Sequence, residues 1–443
     1  MRLNLMAKLA MKVNNSKKKI LIITYYWPPS GGSGVQRWVK FVKYLAKKGW
    51  EPIVYTPENP EYPSIDESML KDVPTNLEVL KTKIWEPFDF YRKFTGKKKN
   101  EKINAGFLNE GKKKNGLTQI LSVWIRGNFF IPDARKFWIK PSIKFLNAYL
   151  ENNEIDYVVS TGPPHSTHLI ARGIKKKNNI PWIADFRDPW TNIDFYKDLK
   201  LTKLADKKHH RLECAVLKEA DLTITIGETM KTEFEALGAK KVICIPNGFD
   251  KEDLSAKSIE KDEKFSIAHI GTLNPSRNPQ LLWESLSELV AENQLFASKL
   301  SIKLVGKVDF MVKEAIKKAG LFQYLELIPY LPHDEAIDEQ QRSHVLLLLV
   351  NNTPNAKGIL TGKIFEYMSS RTPIIGIGPV DGDAANILNQ TKSGIMVDYE
   401  DKEGLKDGLK LMFNNGFSTE TADINSYSRE SLTERLVSAL GEL

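Results

Sequence analysis

The segment Lys19–Thr56 constrains this chain more than any other. An unbroken run, Ile20-Leu21-Ile22-Ile23-Thr24-Tyr25, leads into the breaker-dense stretch Trp27-Pro28-Pro29-Ser30-Gly31-Gly32-Ser33-Gly34. Val35, Trp38, Val39, Val42 and Leu45 then recur at helical spacing up to Gly49, and a second apolar run covers Pro52–Thr56. A short apolar run bounded by turn residues reads as a strand buried on both faces, and the amphipathic stretch ending at glycine reads as its crossover helix. Strand, tight loop, helix, strand is a βαβ unit, which implies a parallel sheet covered by helices.

The alternation resumes downstream. Strands are predicted at Tyr157–Ser160, Trp182–Asp185, Leu222–Ile226 and Val242–Ile245, with helices after Pro164 and over about 203–219 and 228–237. Residues 57–118, with Pro-rich turns and the lysine runs Lys97–Lys99 and Lys112–Lys114, read as a long solvated excursion. A polar stretch over about 250–264 reads as a linker. Beyond it, strands are predicted at Ser266–Ile270, Ser301–Val305, Leu325–Pro329, His344–Val350, Pro373–Ile377 and Gly394–Val397, again alternating with helices. At 443 residues the chain is too long for one ordinary core. The expected fold is α/β, two tandem doubly wound Rossmann-like domains facing a cleft, over 17–250 and 264–420, with a helix in 421–443 expected to pack back on the first domain. Such sheets bind ligands at the carboxyl ends of their strands, so the loops there hold the candidate site.

Composition removes several function classes. The two cysteines, Cys214 and Cys244, cannot form a disulfide framework and lie at no zinc spacing, so a reducing compartment is expected and a metal is not. The longest aliphatic run, Val345–Val350, is far short of a bilayer span, which needs about 20 residues. The first residues, through Lys19, read as a basic tail or as an early start with Met11 the initiator; a signal peptide does not fit, and a short membrane-surface helix is the alternative. Charge is unevenly spread. Residues 1–200 carry 35 Lys+Arg against 19 Asp+Glu, and the rest 29 against 36, so the basic front half is expected to face something anionic.

Five loops carry candidate chemistry. Gly32, Ser33 and Gly34 let the backbone approach a ligand at a helix N-terminus, but form neither the dinucleotide fingerprint nor a P-loop. His165 follows a strand and begins a helix, where it either reaches a cleft or caps the helix. Asp185, Arg187 and Asp188 stand at a strand's carboxyl end, as site residues or as a loop-ordering ion-pair network. After the second domain's first strand come Gly271 and Arg277, the latter placed to grip a phosphate. Amides around Ile359, Leu360 and Thr361, with Lys363, could hold a diphosphate, and Glu366 sugar hydroxyls; Lys363 and Glu366 could also be a plain helix-surface pair.

Together these residues resemble a glycosyltransferase of the GT-B architecture, specifically family 4, over nearly the whole chain from Lys18 to about Leu440. The resemblance rests on Tyr25-Tyr26-Trp27-Pro28-Pro29 with the glycine loop, on Glu219-Ala220-Asp221 through Ile226-Gly227-Glu228 to Ile245-Pro246-Asn247-Gly248-Phe249-Asp250, and on Glu366-Tyr367-Met368 with Arg371-Thr372-Pro373-Ile374-Ile375. It implies transfer of a sugar from a UDP- or GDP-linked donor with retention, without an essential metal or other cofactor. The first domain would hold the acceptor and the second the donor. Arg277 with the amides of Ile359 to Thr361 would neutralise the leaving diphosphate, Glu366 would bind ribose, and His165 with Asp188 would lie beside the sugar. Two departures stand out: Gly358 replaces the first carboxylate of the family's Glu–seven residues–Glu pattern, and Thr272 replaces the earlier of two basic residues, leaving Lys363 to supply the charge.

Two other readings use the same features: a UDP-sugar epimerase of this architecture, and a basic nucleic-acid-binding module, for which no module signature exists here. Within Leu117–Phe145, aromatic residues alternate with Arg126, Arg135, Lys136, Lys140 and Lys144, while Pro132 and Pro141 break it. That stretch reads either as core helix with solvated lysines or as a surface lying on anionic lipid. The second option places the protein in the cytoplasm, peripheral on the inner face of a membrane, with a polyprenyl-diphosphate-linked glycan acceptor in surface polysaccharide synthesis.

Overall fold

The computed structural model describes residues 17–62, 64–87, 117–254 and 259–443. The N-terminal segment with Met11 and both lysine runs lie outside the described residues. The first domain runs β1 (Lys19–Ile23), α1 (Ser33–Lys47), β2 (Glu51–Pro57), β3 (Glu78–Thr82), α2 (Leu117–Phe129), α3 (Lys136–Leu150), β4 (Tyr157–Gly162), α4 (Ser166–Lys175), β5 (Trp182–Phe186), α5 (Lys203–Glu219), β6 (Leu222–Thr225), α6 (Glu228–Ala236) and β7 (Val242–Cys244). The second runs β8 (Phe265–Ile270), α7 (Gln280–Glu292), α8 (Gln294–Lys299), β9 (Leu300–Val305), α9 (Phe310–Lys318), β10 (Leu325–Ile328), α10 (His333–Arg342), β11 (Val345–Leu349), α11 (Lys363–Ser369), β12 (Ile374–Ile377), α12 (Asp383–Thr391), β13 (Gly394–Val397) and α13 (Lys402–Phe413). A last helix, α14, spans Arg429–Gly441.

The two sheets have the orders β3-β2-β1-β4-β5-β6-β7 and β10-β9-β8-β11-β12-β13, and their strand pairs are parallel. In each, the order reverses beside the first strand, between β1 and β4 and between β8 and β11. A crevice opens outside the carboxyl ends at such a switch point. The strands that read as continuous apolar runs are the central ones: Ile20–Ile23 and Val345–Leu349 are buried on both faces.

Two elements depart from the sequence reading. Strand β3 sits inside the expected excursion. Among the described residues it pairs only with β2, and it is mostly half-exposed, so its sequence lacks the apolar run of a central strand. Pro141 does not break the chain; it is the sixth residue of α3, where the helix gives up one amide to the Phe137 carbonyl and continues. The break falls between α2 and α3, around Pro132.

The chain crosses between domains twice, side by side. Phe249 and Ser428 form a parallel bridge, with the Arg429 amide donating to the Phe249 carbonyl at 2.8 Å. Gly248 allows this approach, since a Cβ there would strike the Tyr427 carbonyl. After the second crossing α14 lies on α1: Leu432, Leu436 and Leu440 join Val35, Trp38, Val39 and Val42 in one core. The Tyr157 hydroxyl, donating to the Leu440 carbonyl at 3.0 Å, fixes the far end.

Candidate active site

The two switch points face each other. The Asn355 side-chain amide donates to the Asn192 carbonyl at 3.3 Å, and the Thr229 amide and hydroxyl donate to Asp383. Leu360 stands next to Gly227, where a Cβ would come within 3.4 Å of its Cδ1. These contacts set the loops after β11 and β12 opposite those after β5 and β6.

On the second-domain side the cations gather. Gly271 has φ +116°, and a Cβ there would stand 2.7 Å from Lys363 Nζ, so glycine is required twice over. Lys363 donates to Nε2 of His269 at 3.3 Å, and Nδ1 of that ring donates to the Leu347 carbonyl at 3.1 Å. Burial, and then the charge of Lys363, push His269 down to about 3, which keeps the ring neutral as an acceptor. Arg277 donates from Nε to Asn351 Oδ1 at 2.7 Å. Burial lowers it, and burial followed by the Arg277 charge brings Lys363 down to about 8. Among the described residues no carboxylate accepts a hydrogen bond from either cation. Among the described residues, the amides of Leu360 and Thr361, just before α11, donate to no backbone carbonyl, and the buried Thr361 hydroxyl has no partner. The Ile359 amide differs: it donates to Ala356 at 3.1 Å in a tight turn, so it is not free for a diphosphate as expected. Two cations with no hydrogen-bonded carboxylate among the described residues, close to the amides that lead into α11, suit a dianionic group.

Glu366 lies one turn along α11 from Lys363. Burial pushes its carboxyl up, while His333, Lys363 and Arg429 pull it back. It makes no hydrogen bond among the described residues.

The first-domain side is more tightly tied. Asp185 is fully buried and accepts from Arg37 at 2.8 and 3.1 Å, from the Trp38 indole at 2.7 Å and from the Thr161 hydroxyl at 2.7 Å. Burial would raise its carboxyl, but the Arg37 charge and these donors hold it below the usual carboxylate range. Asp185 is therefore scaffold and not part of an acceptor or phosphate loop. Arg187 is likewise spent on carbonyls, donating to Gly34 at 2.6 Å, to Gly162 at 3.2 Å and to Pro163. It clamps the glycine loop to the loop after β4 and offers no free fork to a phosphate. Gly32 has φ +101° with open space around it, and the glycine-loop amides lie at the start of α1.

Asp188, the third of that trio, is half-buried just beyond the end of β5. It makes no hydrogen bond among the described residues, burial raises its carboxyl, and the Arg187 charge opposes that. Asp194 acts electrostatically on both Asp188 and Arg277, so that carboxylate links the two sides. His165 precedes α4 but does not cap it; that place goes to Asp133, which accepts from the Ser166 amide at 2.9 Å. The His165 ring lies flat on Trp190, centroids 4.5 Å apart and planes 1° from parallel, and burial with His168 nearby keeps it neutral. Trp190 is held in turn by His209, whose Nδ1 accepts from the indole at 3.0 Å, and by Glu213, which accepts from its amide at 3.1 Å. Sequence reasoning missed His269, Trp190, His209 and Arg37. Of these, Trp190 alone had a signal, its place in the same loop as Asp188.

Comparison with known proteins agrees with this architecture. The family model of glycosyl transferases group 1 matches residues 250–431. No curated protein matches the chain by sequence. Among solved structures, sucrose-phosphate synthase from Thermosynechococcus elongatus superimposes with TM-score 0.60 at 11% identity, covering 96% of this chain and 99% of that one. A glycosyltransferase from Rickettsia africae gives 0.59 at 14%, covering 96% and 98%. A lipopolysaccharide outer core galactosyltransferase gives 0.57 at 12%, covering 96% and 99%. At these identities the likeness shows the fold, which is the GT-B arrangement of two Rossmann-like domains.

Proposed function

We propose that this chain, GT-B in fold and matched by glycosyl transferases group 1 across its second domain, is a family 4 enzyme. It moves a sugar from a UDP- or GDP-linked donor to an acceptor hydroxyl, with retention at the anomeric carbon and without an essential metal. The observation that carries this reading is the pair Arg277 and Lys363, half-buried around Gly271 with no carboxylate hydrogen-bonded to either among the described residues, next to the Leu360 and Thr361 amides that lead into α11. The departing nucleoside diphosphate develops negative charge, and donors fixed in advance stabilise it without reorganising. Glu366, a turn further along α11, takes the ribose hydroxyls. Across the cleft the Asp188 carboxylate offsets the positive charge developing at the sugar carbon, and the neutral His165 ring bonds a sugar hydroxyl. Calorimetry with UDP and GDP tests the donor side: micromolar binding by one of them, lost in Arg277→Ala, is expected, and no binding of either overturns the reading. Turnover that requires no acceptor, with hydrolysis or epimerisation of the sugar, would instead favour the epimerase.

The acceptor in this proposal is lipid-linked and belongs to surface polysaccharide synthesis. Support comes from the face built by α2, α3 and Trp85. Among the described residues no helix is long and apolar enough to cross a membrane. Yet Trp85 and Phe129 are each 59% exposed and Phe137 44%, and the Lys136 ammonium lies 5.0 Å from the Phe137 ring centre and 5.2 Å from that of Phe130. Trp138 and Leu146, on the inner side of α3, are buried, so the helix serves the core and a surface at once. Aromatics with interleaved lysines suit an anionic headgroup layer. Co-sedimentation with anionic vesicles that weakens as salt rises is expected; equal recovery with neutral and anionic vesicles at low salt rejects this part alone.

A further inference from the structure

Two buried histidines of the first domain leave ring nitrogens unused beside one glycine. Nε2 of His168 and Nδ1 of His165 are both enclosed without a partner among the described residues. A Cβ on Gly162 would stand 2.5 Å from the first and 3.3 Å from the second, so glycine is what leaves room for both. Each ring is fixed in its plane. His168 stacks on Phe186 with centroids 4.3 Å apart, and His165 lies flat on Trp190. Stacking does not choose between a ring and the same ring turned over, nor between its two tautomers. Burial pushes His168 down to about 3 and lowers His165 as well. Each ring is therefore neutral, with one donor and one acceptor nitrogen.

A hydrogen-bond chain from the neighbouring strands makes that choice. The Trp182 indole, on β5, can only donate, and it donates to the Ser160 hydroxyl of β4 at 2.9 Å. The Ser160 oxygen lies 2.9 Å from Nδ1 of His168, and all three residues are fully buried. Were Nδ1 of His168 the donor, Ser160 would accept twice. Its own proton would then have no acceptor among the described residues, which burial disfavours. The hydroxyl proton therefore goes to Nδ1, and His168 carries its proton on Nε2. We propose that Ser160 and His168 are positioning residues for His165: the Nε2–H of His168 donates to Nδ1 of His165, directly or through one water, and so holds the His165 proton on Nε2. Of the two His165 nitrogens only Nδ1 is enclosed, so the ring presents a donor at its accessible edge. Under the transferase reading, on which this role rests, that N–H meets a sugar oxygen acting as acceptor.

Long-range proton–nitrogen NMR spectra of the full chain, carrying isotope-labelled histidine, read each ring's tautomer independently of activity. The chain has 7 histidines, and single substitutions assign their signals. His165 and His168 are each expected as the Nε2–H form at neutral pH. His168→Phe keeps a ring against Phe186 and removes both nitrogens, and in it the His165 signals are expected to become an average of two tautomers. His168→Gln returns an N–H near the place of Nε2 and is expected to restore the single form. Turnover should follow the spectrum. It should fall roughly fourfold in His168→Phe, where one of four ring states (two tautomers in two orientations) stays competent, with the donor KM little changed. His168→Gln should recover most of that loss. Should His168→Phe not fold, Ser160→Ala serves, since it frees His168 to change tautomer and is expected to mix the forms of both rings. His165 found as the Nδ1–H form in the wild type, or a tautomer unmoved in these variants, overturns the proposal. Turnover unmoved while the tautomer shifts overturns the positioning role. Failure of UDP and GDP to bind, with the tautomers as expected, would remove the transferase reading and leave the hydrogen-bond chain standing.

Discussion

Two arginines near matching switch points show how acceptor supply decides what a cation does. Arg37, in α1 after β1, is fully buried and spends its guanidinium on Asp185, the Ile245 carbonyl at 2.9 Å and the Pro246 carbonyl at 2.9 Å. The guanidinium of Arg277, after β8, has Asn351 as its one hydrogen-bond partner among the described residues and shares its surroundings with a second cation, Lys363. The first set is closed and holds the domain together by linking α1, β5 and the segment before the crossing. The second is open and holds charge in reserve for something that arrives. Arg37 is fully buried and Arg277 half-buried, and the count of acceptors sets them further apart.

The sharpest way to break this comparison is to remove Arg37. Arg37→Ala strands Asp185 without its counter-charge, and the expected loss in denaturant unfolding is about 3–5 kcal/mol. Arg277→Ala should do the opposite: little change in stability, but a loss of more than about tenfold in UDP or GDP affinity and about 10²–10³ in turnover. A stability loss in Arg277→Ala like that of Arg37→Ala would erase the distinction. The next test stays on the first domain. Asp188→Asn and His165→Ala should each lower turnover by roughly tenfold or more with donor affinity almost unchanged, because their contribution comes when sugar and acceptor are engaged. Near-normal turnover in either variant would make that residue structural. The smallest effect is a pH dependence. In the proposed function Lys363 would bind a diphosphate as the ammonium; it is held at about 8, so nucleotide affinity should fall as pH rises through 8, by roughly tenfold at pH 9. In Lys363→Arg the same titration should be flat.

The comparison also explains what could be read from residues alone. The paired parallel sheets follow from strand runs such as Ile20–Ile23 and Val345–Leu349, whose periodicity is local. The open site was legible for the same reason: Gly271, Arg277 and Lys363 sit at loop positions that sheet topology makes significant. Asp185 and Arg187 occupy equally significant positions but are taken by groups far away in sequence, Arg37 for the one and the Gly34 carbonyl for the other. Nothing in Asp185-Phe186-Arg187-Asp188 distinguishes the partnered carboxylate from the free one. Only the strand's register does, carrying Asp185 toward α1 while Asp188 passes the sheet's end. Ile359 failed for a smaller reason, a turn that closes on Ala356. His269 escaped because a histidine inside an apolar strand gives no sign of the lysine 94 residues away that donates to it.

The double crossing bears on how the molecule comes into being. The layer of core between α1 and the first sheet is completed by Leu432, Leu436 and Leu440, which leave the ribosome only after the whole second domain has been made. Until then the part of α1 that α14 covers lies open. The first domain begins synthesis first yet finishes assembly last, and the nascent chain must protect that part, or lend it to another surface, for the time it takes to translate nearly two hundred further residues.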